Sequence, residues 1–146
     1  MRFEQQVLER IRMLAGVQSV GFTGDLPLTS GGWTEEITAE NSSSQPSATS
    51  VRYGAITPGY LEALGVRLLR GRFFNEHDSE NAPTAVIVTQ KAAQEFWPNQ
   101  NPIGRRLKLG KSDSSNPWLQ VVGVTTNLKH AGLNEPPRAG VYCPYL

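Results

Sequence analysis

The chain has 146 residues, 38% of them apolar and 18% charged, and its 14 Lys and Arg against 13 Asp and Glu leave a formal charge of +1. That length suits one domain with a modest core, and the near-neutral balance argues against bulk electrostatic binding to nucleic acid or to an anionic membrane surface. A lone cysteine, Cys143, excludes an internal disulfide and a cysteine-rich zinc site.

Read in chain order, Phe3, Val7, Ile11 and Leu14 recur at helical spacing and predict an amphipathic helix that Gly16 ends. Residues 1–14 intersperse charges among these apolar positions, unlike the core of a signal peptide, and no run reaches the roughly 20 apolar residues of a membrane helix. An export address is therefore expected outside this stretch. A short strand is expected over 17–22, followed by a contact loop at 24–32 (GDLPLTSGG). Trp33, Glu35, Ile37 and Ala39 alternate with Thr34, Glu36, Thr38 and Glu40, which predicts a strand with one polar face. Residues 41–49 (NSSSQPSAT) have little to bury and read as an exposed loop.

A strand, capped helix and strand then occur twice. Residues 51–56 are a strand, Thr57 and Pro58 an N-terminal helix signal, 60–64 a short helix stopped by Gly65, and 66–70 an extended piece. Residues 84–88, Thr89, 91–97, Pro98 and 105–109 repeat the grammar. Two such units predict an α+β fold, a split βαβ sheet of the ferredoxin-like, porter-like kind with short helices. Residues 118–126 and 139–145 add further strands, expected in a second lobe.

Chemistry is harder to find. Glu76, His77 and Asp78 form the one compact acid–base cluster, but adjacent side chains point apart, and His130 has no carboxylate at a telling spacing. The glycines before Trp33 lack a Walker lysine, and no serine stands in a G-x-S-x-G turn. Cys143, between Tyr142 and Pro144, reads as a packed apolar residue. Arg67, Arg70, Arg72, Arg105, Arg106, Lys108 and Lys111 would make a basic stripe if their two extended pieces lay side by side, yet the nearby aromatics, Phe73 and Phe74, end only one piece. Edge protection by solvated cations, their stems covering strand edges, is the commoner explanation of such a pattern. No catalytic, cofactor-binding or metal-ligating residue is assigned, and no cofactor is expected.

Four segments, 8–32, 56–78 (ITPGYLEALGVRLLRGRFFNEHD), 85–110 and 121–145, together resemble in order the extracytoplasmic core domain of MacB-like and FtsX-like ABC transporter permeases, closest to the acidobacterial duplicated branch. Ala15 stands where the family commonly has proline, and Asn127 where aspartate is frequent. The resemblance implies one extracytoplasmic domain over 1–146, lying between two membrane helices on the outer, periplasmic side of the cytoplasmic membrane. It implies no catalysis within the domain, with ATP hydrolysed by a separate nucleotide-binding domain or subunit. The implied partners are the flanking membrane helices, that ATPase, a periplasmic adaptor and a second copy in a dimer, with no nucleic acid. Family members commonly have a strand before the first helix, so an exposed sheet edge is expected here, either solvated or paired with another chain. A free-standing ligand- or protein-binding module is the alternative reading, and a small hydrolase or metal enzyme on His77 or His130 a third.

Overall fold

A computed structural model describes residues 3–28, 32–42, 49–79, 84–129 and 133–145. In chain order the elements are α1 (Phe3–Arg12), β1 (Thr34–Ala39), β2 (Thr49–Ile56), α2 (Tyr60–Ala63), β3 (Leu68–Gly71), a 3-10 turn (Glu76–Ser79), β4 (Ala85–Thr89), α3 (Gln90–Phe96), β5 (Arg106–Leu109), β6 (Leu119–Thr125) and β7 (Gly140–Pro144). Every residue of β4 and β7 is buried, as suits central strands covered on both faces. They pair antiparallel at the centre of a seven-stranded sheet ordered β3-β6-β4-β7-β2-β1-β5. Parallel neighbours flank them, β6 beside β4 and β2 beside β7. β5 pairs antiparallel with β1 and also with the start of β6, so the strands β6-β4-β7-β2-β1-β5 close into a ring.

Alternation along the strands divides the core between the two faces of the sheet. Val86, Val88, Val141 and Cys143 join Ile37, Val51, Leu107, Leu119 and Val121, and α3 adds Ala92, Ala93, Phe96 and Trp97 to the same cluster. Ala85, Ile87 and Tyr142 pack on the opposite face with Ile56, Tyr60, Leu61 and Phe74. Trp97 is the largest fully buried side chain, and its indole Nε1 donates to the Glu40 carbonyl at 2.9 Å. The bond ties the end of α3 to the residue after β1.

The α+β class, with a sheet and a few short helices, is what the structure shows. The strands expected in a second lobe are hydrogen-bonded into the same sheet, because β7 and most of β6 are buried. Thr89 caps α3 as expected, its hydroxyl accepting from the Ala92 N–H at 3.3 Å. Thr57 does not cap α2: Gly59, with φ of 91°, holds that position, and the Thr57 hydroxyl instead accepts from the Phe22 N–H. Residues 17–22 form no strand, and only Thr23 bridges Ile56, since β1 already occupies that edge of β2 from Thr49 to Arg52. The buried residue of α1 is Leu8, while Phe3 and Leu14 are exposed, the latter because the helix ends at Arg12.

Trp97→Ala is expected to lower unfolding free energy by about 3–5 kcal/mol in urea titration. Trp97→Phe, which keeps most of the volume and loses the bond to Glu40, should cost substantially less, about 1–2 kcal/mol.

Candidate interaction surfaces

The acid–base cluster opens outward when the 3-10 turn forms. Asp78 turns to Arg72, accepting two guanidinium bonds at 2.7 and 2.9 Å and one from the Asn75 N–H at 2.8 Å. Glu76 faces Arg12 at 3.6 Å. Bonding to Arg72 holds the Asp78 carboxyl below its ordinary pKa, against the opposing effect of burial. The cluster thus fastens a turn, and no group of three or more potential metal ligands occurs among the described residues. His130 lies outside them. The Cys143 thiol is buried and its pKa is pushed up to about 12 by that burial, as suits a packed neutral side chain.

The basic stripe is dispersed by topology. β3 pairs with the end of β6 and β5 with its start, so the two pieces lie end to end along one strand rather than side by side. Arg106 pairs with Glu40, and its guanidinium lies 5.6 Å from the centroid of the Trp118 ring. Lys108 donates to the Ser114 carbonyl at 2.9 Å and lies 5.1 Å from the same centroid. Phe74 is buried and Phe73 packs against its cluster, which leaves neither free to stack on a base.

Two other features are organised for contact. The first is a junction at residues 56–60, where the leading and closing segments of the chain meet. The Thr57 N–H donates to the Phe22 carbonyl at 3.0 Å, Ser19 Oγ donates to the Gly59 carbonyl at 2.7 Å, and the Tyr145 N–H donates to the Ile56 carbonyl at 2.8 Å. Phe22 and Tyr145 meet edge to face at 5.4 Å between centroids. Glycine permits this approach: a Cβ on Gly21 would collide with the Tyr60 backbone, and one on Gly59 with the Val20 carbonyl. The sequence shows these glycines without showing that they face one another.

The second feature is the expected contact loop. Thr23 Oγ1 accepts from the Asp25 N–H at 3.2 Å, Asp25 Oδ2 accepts from the Trp33 N–H at 3.3 Å, and the Trp33 carbonyl accepts from the Tyr53 N–H at 2.9 Å. These bonds hold the loop's base. Leu26, Leu28 and Trp33 stand out from it, Trp33 with 67% of its surface exposed, so the indole does not fill the core despite its place beside a strand. Gly32 lies over the buried Arg52 guanidinium, where any Cβ would collide with it.

The chain belongs to the MacB-like periplasmic core domain family, whose model matches residues 5–146. It is 24% identical over 135 residues to the macrolide export ATP-binding/permease protein MacB of Aggregatibacter actinomycetemcomitans, an overlap covering 88% of this chain and 20% of that protein. The extracellular domain of the ABC-type transporter YknZ from Gram-positive bacteria superposes with a TM-score of 0.61 at 16% identity, covering 97% of this chain and 62% of that one. The periplasmic region of MacB from Actinobacillus actinomycetemcomitans gives 0.61 at 18% identity, covering 97% and 54%. The chain therefore spans about a fifth of the full-length relative and a little over half of the solved domains.

Because the folded pKa of Asp78 is depressed, its pair with Arg72 contributes stability that is present above the unfolded carboxylate pKa of about 3.9 and is lost as pH falls through the folded value. Denaturation of wild type and Asp78→Asn should differ by about 1 kcal/mol at pH 7 and converge as pH falls through the depressed folded pKa of Asp78. A Gly59→Ala variant should lose about 2 kcal/mol or more from its left-handed backbone and the collision with Val20, whereas Gly24→Ala, which meets open space, should stay within about 0.5 kcal/mol of wild type.

Proposed function

We propose that this chain is an outer, non-catalytic domain of an ABC permease, on the periplasmic face of the cytoplasmic membrane, and that it carries movement generated by ATP hydrolysis in a separate domain or subunit. Family membership gives the setting. The observation that supports a mechanical role is the junction at 56–60, where the segment after α1 and the residue after β7 bond to the same few residues. Those residues connect β2, inside the closed ring, to α2. Displacement of α1 relative to the chain beyond β7 would load this junction first, and the closed sheet would pass the load on as one body. In the parent protein the flanking membrane helices supply that displacement, and a second copy of the permease completes the working dimer.

The exposed Leu26, Leu28 and Trp33 suit contact with a periplasmic adaptor or with cargo, because large apolar groups held on a fastened loop bury well against a partner. This surface is also what a free-standing binding module would present.

The test is electron–electron distance measurement in the full-length permease, with spin labels replacing exposed Arg10 on α1 and exposed Lys111 after β5. The distance distribution should differ between nucleotide-free and ATP-bound states. Identical distributions in every nucleotide state would rule out transmission through this domain. A Leu26→Ser/Trp33→Ala double variant should keep the wild-type unfolding midpoint and reduce recovery of the adaptor with the permease; unchanged recovery would remove the loop from partner binding.

A further inference from the structure

A cleft of about 640 Å³ opens beside β3, between that strand, α3 and the 97–102 turn. Its floor is apolar, from Leu69, Ala93, Trp97, Pro102 and Val124. Around that floor stand one guanidinium, from Arg70, and carboxamides from Gln90, Gln94, Asn99, Gln100 and Asn101, with no carboxylate among the described lining residues. Arg70 has one weak bond, to Asn101 Oδ1 at 3.5 Å, and no acidic partner among the described residues. The side-chain amides of Gln90, Gln94, Asn99 and Gln100 bond to no other described residue. β3 stands at the end of the strand order, so its outer edge has no strand beside it among the described residues.

Each of these facts narrows the ligand. A carboxamide both donates and accepts, so a rim of them matches a ligand that alternates N–H and C=O groups. An unpaired strand edge presents the same alternation and accepts an extended chain. Sugar recognition would want an aromatic face to lie against, and Trp97 is only 1% exposed with its Nε1 committed to Glu40. The Arg70 guanidinium adds a charge preference, since an incoming carboxylate would meet a cation with no competing acid among the described lining residues.

We propose that this cleft binds an extended peptide segment carrying an acidic side chain. The peptide backbone bonds to the carboxamides and to the outer edge of β3, and its carboxylate pairs with Arg70. The site lies apart from the 56–60 junction, and the assignment stands whether or not the domain transmits movement.

The experiment titrates the full chain, by NMR and calorimetry, with the capped peptides acetyl-TVTETVT-amide and acetyl-TVTKTVT-amide, and with free acetate. The expected result is that the acidic peptide shifts resonances of Leu69, Arg70, Gln94 and Asn101 and binds at least tenfold more tightly than the lysine peptide. Arg70→Glu should reverse that preference and Arg70→Gln abolish it; Arg70 is exposed, so both variants are expected to fold. Equal affinity for the two peptides, an unreversed preference in Arg70→Glu, or shifts confined to other surfaces would overturn the proposal. Acetate binding as tightly as the acidic peptide would overturn it too, by reducing the site to one for small anions.

Discussion

The four residues of β5 hold the sheet together along its seam. Leu107 pairs with Ala39 of β1 and with Leu119 of β6, and is fully buried between them. A strand that short could not stand alone at an edge, but bonded on both sides it removes two edges at once and encloses the cluster built on Trp97. The neighbouring constraints reinforce the seam. Glu40 accepts from the indole through its backbone carbonyl and pairs with Arg106 through its carboxylate, so one residue links α3 to β5. Lys108 is buried in the same strand and reaches the Ser114 carbonyl, which keeps its ammonium bonded.

Against this ring, the junction and the contact loop are peripheral. The junction at 56–60 depends on backbone approaching backbone, a contact that leaves room for glycine alone at positions 21 and 59. Around that close approach, Ser19 Oγ bonds the Gly59 carbonyl and the Phe22 and Tyr145 rings meet edge to face. The contact loop is the opposite arrangement: its base is bonded to β2 through Tyr53, and its apolar tips remain in water. The domain thus combines a tightly bonded junction with exposed apolar side chains on a loop whose base is fastened.

The charged residues follow the same division. Arg72 with Asp78 and Arg106 with Glu40 fasten turns to strands, while Arg70 beside the cleft has no acidic partner among the described residues. Sequence alone made these cations one stripe only if the two extended pieces lay side by side, and could not distinguish fasteners from a cation without an acidic partner, because the distinction depends on which carboxylate the chain folds beside them.

What the sequence determined by itself is what short-range chemistry controls. The unbroken apolar run at 85–88 specifies a buried strand, Thr89 caps the helix that follows, residues 139–145 read as a strand, and the ordered segments identify the family. Tertiary structure decided the rest. Thr57 and Pro58 carry a capping signal, yet Phe22 takes the hydroxyl, since a bond available across the fold outweighed the local one. Residues 17–22 have strand composition but form no strand: β1 fills the edge of β2 from Thr49 to Arg52, and the leading segment meets β2 only at its end, where Thr23 bridges Ile56. Closure by β5, the glycine-to-backbone junction and the cleft beside β3 all join residues far apart in the chain. Periodicity carries no information about such pairings, which are fixed only when the whole sheet closes.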